Sequence, residues 1–308
     1  MKTRIISSLV ALVILAAILS MYNTFVFNIA IAAISVTAVC EAMKVAGIKN
    51  PILVGMGVVI AAVMPFARFF IGMREQSIVA IGSSDGSTTF FISGNSDSSM
   101  FYSNITAVFI IAAMVFLFVM LFKHAAVCVE QVGMAFFLSL VIPIFFSTSI
   151  YIRDSLGSQA GMFLLFFAMT GAWLCDSCAY FVGRKFGRRK LAPIISPKKT
   201  IEGAIGGIVI ATILMLLMGM VYAHSVSSSG VDIYINYPAI AIFAPIVCVM
   251  GIFGDLSASV IKRRFGAKDY GNIMPGHGGV LDRCDSFLFT MPTVYVLARY
   301  VVFVGFGA

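Results

Sequence analysis

Three aspartates near the C-terminus are spaced so that helices would hold their carboxylates at one surface. Asp255, Ser259 and Lys262 follow one another at positions i, i+4 and i+7, and Asp282 and Asp285 stand three residues apart. On a helix each set faces one way, and antiparallel neighbouring helices would bring the two sets together. Carboxylates at such a place repel one another unless a cation lies between them, and oxygen-rich sites suit Mg²⁺. The spacing therefore predicts a magnesium site.

A glycine-rich stretch lies between these two acidic sets. It runs from Gly271 to Gly279 and exposes backbone amides that can cradle phosphate oxygens. His277 is a candidate proton carrier, but a hydrogen bond to loop backbone explains a histidine here equally well. No G-x-x-x-x-G-K-[ST] pattern occurs, which excludes a P-loop nucleotide site. The alternative to metal binding is that the aspartates form ion pairs with Lys262, Arg263 or Arg283.

A second polar loop follows the sixth hydrophobic segment. Asp176 lies near the end of that segment, and Pro193 and Pro197 stiffen the extended stretch that comes after it. Thr200 is placed to cap the next helix, which would leave the N-terminal amides of that helix available to an anion. Capping accounts for Thr200 completely but says nothing about Asp176. This loop is therefore predicted to contribute both acidic and basic side chains to a phosphate-handling site.

The composition of the whole chain defines the class of protein that holds these loops. Of its 308 residues, 60% are hydrophobic and 11% are charged, and the mean hydropathy is +1.03. A membrane-spanning helix needs about 20 largely apolar residues, so we predict an all-α, polytopic transmembrane helix bundle. Nine spans are expected, at residues 5–22, 25–43, 51–70, 105–122, 126–150, 159–182, 203–223, 237–255 and 286–306.

Basic residues are distributed unevenly between the predicted loops, which gives the orientation. With the N-terminus in the cytoplasm, 17 of the 21 lysines and arginines are cytoplasmic, as the positive-inside rule requires. Residues 1–150 then form about five spans with an outward loop at 72–104. Residues 151–308 form a catalytic region with cytoplasmic loops at 183–202 and 256–285. We predict an integral protein of the cell's inner membrane whose active site faces the cytoplasm.

Two motifs resemble the signature of the phosphatidate cytidylyltransferases, or CDP-diacylglycerol synthases. One runs from Ser259 as S-x-x-K-R-x-x-x-x-K-D and continues as P-G-H-G-G-x-x-D-R-x-D, ending at Asp285. The other comprises D-x-x-A-Y from Asp176 and I-S-P-K-K-T-x-E-G from Ile195. The resemblance covers the C-terminal half, whereas residues 1–150 agree with the family only in being hydrophobic.

The resemblance implies that CTP condenses with phosphatidic acid to give CDP-diacylglycerol and pyrophosphate, with Mg²⁺ required. It places the metal on Asp255, Asp282 and Asp285, with Asp176 and Glu202 completing or orienting the site. Its further substrate-contacting residues are Ser196, Lys198, Lys199, Ser259, Lys262, Arg263, Lys268, Asp269, Gly276, His277, Gly278, Gly279 and Arg283. The implied partners are CTP, phosphatidic acid and bilayer lipid, without nucleic acid, and a homodimer stays open.

Two other functions are compatible with the sequence. A CTP-dependent kinase of a polyprenol or similar lipid alcohol needs the same cations and metal. A transporter also combines many spans with intramembrane charge, but transporters tend to place such charges near the bilayer midplane and to show repeated halves. Here the acidic residues are predicted at one surface. As a test of the metal assignment, the sequence predicts that Asp282→Asn abolishes turnover and leaves the protein folded.

Overall fold

The computed structural model describes residues 2–67, 97–123, 127–228, 233–274 and 278–306, which form a bundle of helices. Its α-helices are Lys2–Ser20 (α1), Phe25–Val45 (α2), Pro51–Val63 (α3), Asp97–Phe122 (α4), Val129–Leu156 (α5), Ser158–Phe186 (α6), Ile201–Ser227 (α7), Tyr237–Arg264 (α8) and Leu281–Tyr300 (α9). A 3-10 helix, Met64–Phe66, extends α3. Two antiparallel strand pairs join Lys190–Ala192 (β1) to Ser196–Thr200 (β2) and Ile233–Ile235 (β3) to Val304–Phe306 (β4).

The predicted all-α membrane class is confirmed. Five of the described helices, α2, α5, α6, α7 and α8, are long and apolar enough to cross a membrane. Helices α1, α3 and α4 contain shorter apolar stretches of 10–17 residues. The nine-span count, the orientation and the division at residue 150 stay predictions. Residues 72–96 of the predicted outward loop lie outside the described residues.

The last helix, α9, lies at the centre of the packing that positions the polar loops. It packs against α8, α5 and α6 and also touches α2. Aromatic rings fix it there, since the Phe289 ring meets Phe145 edge to face at 5.8 Å and the Phe287 ring lies 6.3 Å from Phe146. The N-terminus of α9, which carries Asp282 and Asp285, is therefore held between helices from both halves of the chain.

Small residues bring α6 and α7 into close contact beside this centre. A Cβ on Gly207 would come within 2.9 Å of the Ala179 backbone, and one on Gly203 within 2.9 Å of the Gly183 Cα. Thr200 caps α7 as predicted, because its hydroxyl accepts a hydrogen bond from the Gly203 amide at 3.2 Å. The close approach places the β1–β2 hairpin, which immediately precedes α7, beside the C-terminal part of α6. This is the end of α6 that the sequence predicts to face the cytoplasm.

Three segment predictions need correction. The ninth span does not continue to residue 306: α9 ends at Tyr300, and the chain turns so that β4 can pair with β3. Residues 97–104, assigned to a loop, already belong to α4. The fifth span begins at Val129 and extends to Leu156, where Gly157, with φ of +79°, allows a tight turn into α6. At the first and third of these boundaries, non-local strand pairing or a local turn overrides the boundary set by hydropathy.

Candidate active site

A polar cavity of about 670 Å³ opens at one end of the bundle. It is enclosed by the C-terminal turns of α6 and α8, the β1–β2 hairpin, and the N-terminal turns of α7 and α9. All five aspartates that the sequence singled out line it, together with most of the predicted cations. Its charged lining residues are Asp176, Arg184, Lys190, Lys198, Lys199, Asp255, Lys262, Asp269, Asp282, Arg283 and Asp285.

Lys199, on β2, links carboxylates from two different helices in this cavity. Its Nζ lies 2.5 Å from Asp255 Oδ2 on α8 and 3.3 Å from Asp176 Oδ1 on α6. The second Asp176 oxygen accepts a hydrogen bond from Ser286 Oγ at 2.9 Å. Burial lowers the pKa of Lys199, but the two carboxylates outweigh that effect, and the pKa is raised overall. Lys199 is therefore a permanent cation near neutral pH.

Lys262 and Asp282 form a second ion pair, which is more deeply buried. Lys262 Nζ lies 2.8 Å from Asp282 Oδ1, and its ammonium stands 5.2 Å from the centre of the Tyr270 ring. The other oxygen, Asp282 Oδ2, accepts hydrogen bonds from the backbone amides of Tyr270 at 2.7 Å and Gly279 at 3.0 Å. Both oxygens of Asp282 thus accept hydrogen bonds from protein donors. In the structure this aspartate forms an ion pair, which was the alternative to metal binding in the sequence analysis.

Asp285 is buried one turn further along α9. Its Oδ1 accepts a hydrogen bond from the Ser286 amide at 2.8 Å, and its carboxylate interacts with that of Asp255. Two neighbouring carboxylates raise each other's cost of ionisation unless a positive charge is near. Asp285 therefore adjoins Asp255, which shares Lys199 with Asp176, and the three aspartates form an acidic cluster.

The donor chemistry of this cluster is compatible with a divalent cation. Among the described residues, no group of three acidic, histidine or cysteine side chains is arranged to hold a metal ion as it stands. The Lys199 ammonium, however, lies between the carboxylates of Asp176 and Asp255. This position therefore already holds a positive charge. Oxygen donors of this kind are what Mg²⁺ prefers. Asp176, Asp255 and Asp285 supply donors of this type, whereas Asp282 is committed to Lys262 and the loop backbone.

Several predicted substrate residues lie elsewhere than expected. Glu202 is outside the cavity, and its carboxylate accepts from the backbone amides of Arg188 at 2.9 Å and Arg189 at 3.1 Å, so it fixes the start of the hairpin. Arg263 donates to the carbonyl oxygens of Ile195 at 3.5 Å and Ala267 at 3.2 Å, and it too does not line the cavity. In the structure both side chains hold the surrounding loops, and their assignments to substrate or catalysis stay predictions.

The glycine loop is also used differently from the prediction. The Gly279 amide donates to Asp282, so it is not available as a phosphate cradle, and Gly278 adopts a φ of +88° beside the same carboxylate. Gly276 and His277 lie outside the described residues. Ser259 is buried, with its hydroxyl 3.5 Å from Asp255, and Lys268 is exposed on the loop away from the cavity lining. Of the remaining candidates, Ser196, Lys198, Asp269 and Arg283 line the cavity.

Two residues of the surroundings were missed by sequence reasoning. Tyr270 is buried and reaches three partners: its amide binds Asp282, its hydroxyl donates to the Ala258 carbonyl at 3.0 Å, and its ring lies beside Lys262. Glu41, on α2, accepts from the backbone amides of Val280 and Leu281 at the start of α9. The sequence does hold a signal for Glu41, because it is the sole acidic residue among the first 74 and lies in an apolar span.

The fold and cavity define a helical membrane protein with a phosphate-compatible site of aspartates and lysines at one end of the bundle. Residues 2–301 match the Cytidylyltransferase family, so the chain belongs to that family. The predicted resemblance is thereby confirmed.

Named relatives are similar to part of this chain. The chain is 42% identical over 168 residues to the phosphatidate cytidylyltransferase of Bacillus subtilis, a match that covers 54% of this chain and 58% of the relative. It is 37% identical over 175 residues to the phosphatidate cytidylyltransferase of Thermotoga maritima, covering 57% and 59%. A relative of the same name from Staphylococcus epidermidis is 42% identical over 137 residues, covering 44% and 49%. Each match thus spans less than two thirds of the relative's length.

Proposed function

We propose that this protein is a phosphatidate cytidylyltransferase, which condenses CTP with phosphatidic acid to give CDP-diacylglycerol and pyrophosphate. The observation that carries the proposal is the cavity in which five aspartates meet lysines and arginines from two separate loops. A reaction between two polyanions needs such a site, because the attacking and leaving groups are both phosphates. Family membership and the printed names of the relatives support the same activity.

The residues of the cavity match the charge changes of this reaction. A phosphate oxygen of phosphatidic acid attacks the α-phosphorus of CTP, a new P–O bond forms, and the bond from the α-phosphorus to the α,β-bridging oxygen breaks. The nucleophile is already anionic near neutral pH, so positioning and charge neutralisation matter more than a strong base. Lys198, Lys199, Lys190 and Arg283 line the cavity and would neutralise the phosphates. Asp176 and Asp255 orient Lys199 for this task through its two ion pairs.

We also propose that the enzyme uses Mg²⁺. Asp176, Asp255 and Asp285 would hold the ion, for the reasons of charge and donor type given above. When bound, a divalent cation neutralises phosphate charge and makes the α-phosphorus more susceptible to attack. This assignment differs from the one drawn from the motif, since it exchanges Asp282 for Asp176.

The proposed membrane arrangement follows from charge and from the lipid substrate. Most of the chain's basic residues are in the two loops that enclose the cavity, so the positive-inside rule favours a cytoplasmic cavity in the cell membrane. The acyl chains of phosphatidic acid would stay in the bilayer, because extracting them costs about 0.8 kcal/mol per methylene group. The phosphate head group then enters the cavity from the side of the membrane and CTP from the aqueous side.

A labelling experiment tests the activity and separates it from the lipid-kinase alternative. Purified protein is incubated with Mg²⁺, an equal mixture of phosphatidic acid and a polyprenol, and CTP labelled at either the α- or the γ-phosphate. The expected result is lipid-soluble label from α-labelled CTP alone, with one pyrophosphate released for each cytidine-bearing lipid. Label that reaches a lipid alcohol from γ-labelled CTP would refute the proposal and support a kinase. Parallel reactions with EDTA test the metal requirement, and a multi-angle scattering measurement of the detergent complex tests whether the protein is a homodimer.

A further inference from the structure

Glu41 is a carboxylate that the proposed reaction does not use, although it lies beside the residues that do. It is on α2, in the N-terminal half, and only 5% of its surface is exposed. Burying a carboxylate is costly unless hydrogen bonds satisfy it. Its Oε1 accepts from the Val280 amide at 3.1 Å, and its Oε2 accepts from the Leu281 amide at 2.9 Å. Both oxygens are therefore satisfied by backbone more than 230 residues away along the chain.

These two amides are at the N-terminus of α9, where a helix lacks intrahelical acceptors for its first N–H groups. The N-cap residue of α9 is Val280, whose side chain cannot accept a hydrogen bond, and no side-chain cap is present within α9 itself. Glu41 supplies the missing cap from another helix, and its negative charge is also favoured by the helix dipole. The next residues of α9 are Asp282 and, one turn later, Asp285.

Two glycines of the loop before α9 leave room for this carboxylate. A Cβ built on Gly271 would collide with Glu41, and all three of its nearest atoms belong to that side chain. The same is true of Gly279. Neither glycine has a positive φ, so the backbone conformation alone does not demand glycine at these positions. The space for Glu41 is the feature that requires them.

We propose that Glu41 is a positioning residue for the cytidylyl transfer site. It fixes the start of α9 and the preceding loop against α2, and so sets where Asp282, Arg283 and Asp285 stand in the cavity. The expected effect of Glu41 on catalysis rests on the proposed function. The contact between Glu41 and the amides of Val280 and Leu281 does not depend on it. It also gives the N-terminal half of the chain a role in the site. The sequence motifs lie in the C-terminal half, and residues 1–150 resemble the family only in being hydrophobic.

Kinetic measurements on Glu41 variants test the positioning role. Glu41→Gln keeps the shape and one acceptor oxygen, and Glu41→Ala removes both. Relative to wild type, we expect kcat per folded molecule to fall about tenfold in Glu41→Gln and about a hundredfold in Glu41→Ala. KM for CTP should stay within about twofold of the wild-type value. Glu130→Gln, at an exposed glutamate on α5, is the charge control and should match wild type. Unchanged kcat in Glu41→Ala would overturn the proposal, as would loss of the folded protein in both Glu41 variants, which would indicate a purely structural role.

A double-mutant cycle with Gly271→Ala tests the contact itself. In the wild-type background the added methyl group must displace the Glu41 carboxylate, so we expect kcat to fall about tenfold, a common size for coupling between contacting residues. In the Glu41→Ala background the same change should cost less than about twofold, because the collision is gone. Gly133→Ala, where a Cβ meets nothing within 4 Å, is the matched glycine control. Additive effects in the cycle would contradict the proposed contact.

Hydrogen exchange followed by mass spectrometry separates this inference from the proposed activity. In Glu41→Gln, at least one of the amides of Val280 and Leu281 should exchange about tenfold faster than in wild type, because one acceptor oxygen is lost. Peptides from α7 should be unchanged. If wild-type protein formed no cytidine-bearing lipid but this local increase appeared, the activity would be refuted and the α2–α9 contact retained. If the activity were present and exchange at both amides were unchanged, the positioning role alone would be refuted.

Discussion

Two lysine–aspartate networks share the cavity and differ in how far they are closed to solvent. In one, Lys262 and Asp282 have side chains that are 10% and 4% exposed. In the other, Lys199 is 23% exposed, and its partners Asp255 and Asp176 are 22% and 36% exposed. The first network is completed by backbone amides of the glycine loop, whereas the second is held by side chains from α6, β2 and α8.

The difference indicates separate tasks for residues of the same type. Asp282 is bound to Lys262 and to two amides, so exchanging any of these partners for a ligand would open the loop. Lys199 and its aspartates can exchange partners by side-chain rotation, because within the described part of the chain their ion pairs are formed by side chains alone. We therefore expect the closed network to maintain the fold around the site and the open network to meet substrate and metal.

The largest effect is expected from breaking the closed network. Asp282→Ala leaves the Lys262 ammonium buried without its counterion, and losing one partner of a buried pair costs about 3–5 kcal/mol. The free energy of unfolding should fall accordingly, which thermal unfolding in detergent can detect with a thiol-reactive dye because Cys175 and Cys248 are buried.

The matched control for this prediction replaces both charges. Asp282→Leu combined with Lys262→Met removes the unpaired ammonium, so it should recover part of the lost stability while staying inactive. A wild-type unfolding temperature for Asp282→Ala would contradict the assignment and restore the expectation, drawn from the sequence, that substitution at Asp282 abolishes turnover and leaves the protein folded.

Breaking the open network should instead affect catalysis. Asp255→Asn removes one of the two partners of Lys199 and one of the carboxylates proposed for Mg²⁺, so we expect kcat to fall about 10²- to 10³-fold. The unfolding temperature should stay close to that of wild type, because Asp176 still pairs with Lys199. The phosphatidate assay measures kcat, and the thiol-reactive dye assay measures the unfolding temperature. Asp154→Asn, in a carboxylate paired with Arg153 on α5, is the control, and equal loss of activity in both variants would contradict the prediction.

The contrast also explains which parts of the site the sequence could predict. Asp255, Asp282 and Asp285 were predicted to share one place because helical spacing fixes which residues face the same way, and the structure places all three in the cavity lining. The division of labour among them could not be predicted. It depends on which donor reaches which oxygen, and the donors come from a strand, from loop amides and from a tyrosine.

Non-local partners were beyond sequence reasoning for the same physical reason. Glu41 binds amides near residue 280, and nothing in local spacing connects α2 with that loop. The end of α9 at Tyr300 likewise depends on pairing between β3 and β4, whose strands are separated by two helices. Helices and their apolar faces follow from periodicity, but contacts between distant segments depend on the packed bundle.

The pH dependence of stability gives a smaller effect that sharpens the comparison. The pKa of Lys199 is raised above its ordinary value of 10.5 by Asp176 and Asp255, which outweigh the opposing effect of burial. A group with a raised folded pKa stabilises fully below the unfolded pKa and loses that contribution as pH rises through the folded value. In a chelating buffer, the difference in unfolding temperature between wild type and Lys199→Met should not shrink between about pH 6 and about pH 9 and should shrink only above about pH 10.5. A difference that shrinks as pH rises through neutrality would contradict a permanently cationic Lys199.

The smallest effect is expected at Glu202, which touches neither network. Its exposed carboxylate accepts hydrogen bonds from the amides of Arg188 and Arg189 and thereby fixes the start of the hairpin that carries Lys198 and Lys199. Glu202→Gln keeps one acceptor oxygen, so we expect at most about a twofold rise in KM for CTP and an unchanged kcat, as is usual for exposed substitutions. Steady-state assays at varied CTP measure both constants, with Glu130→Gln as the matched exposed control. A fall in kcat comparable to that of Asp255→Asn would return Glu202 to the reacting groups, where the motif alone had placed it, and would mean that the hairpin moves this carboxylate into the cavity during turnover.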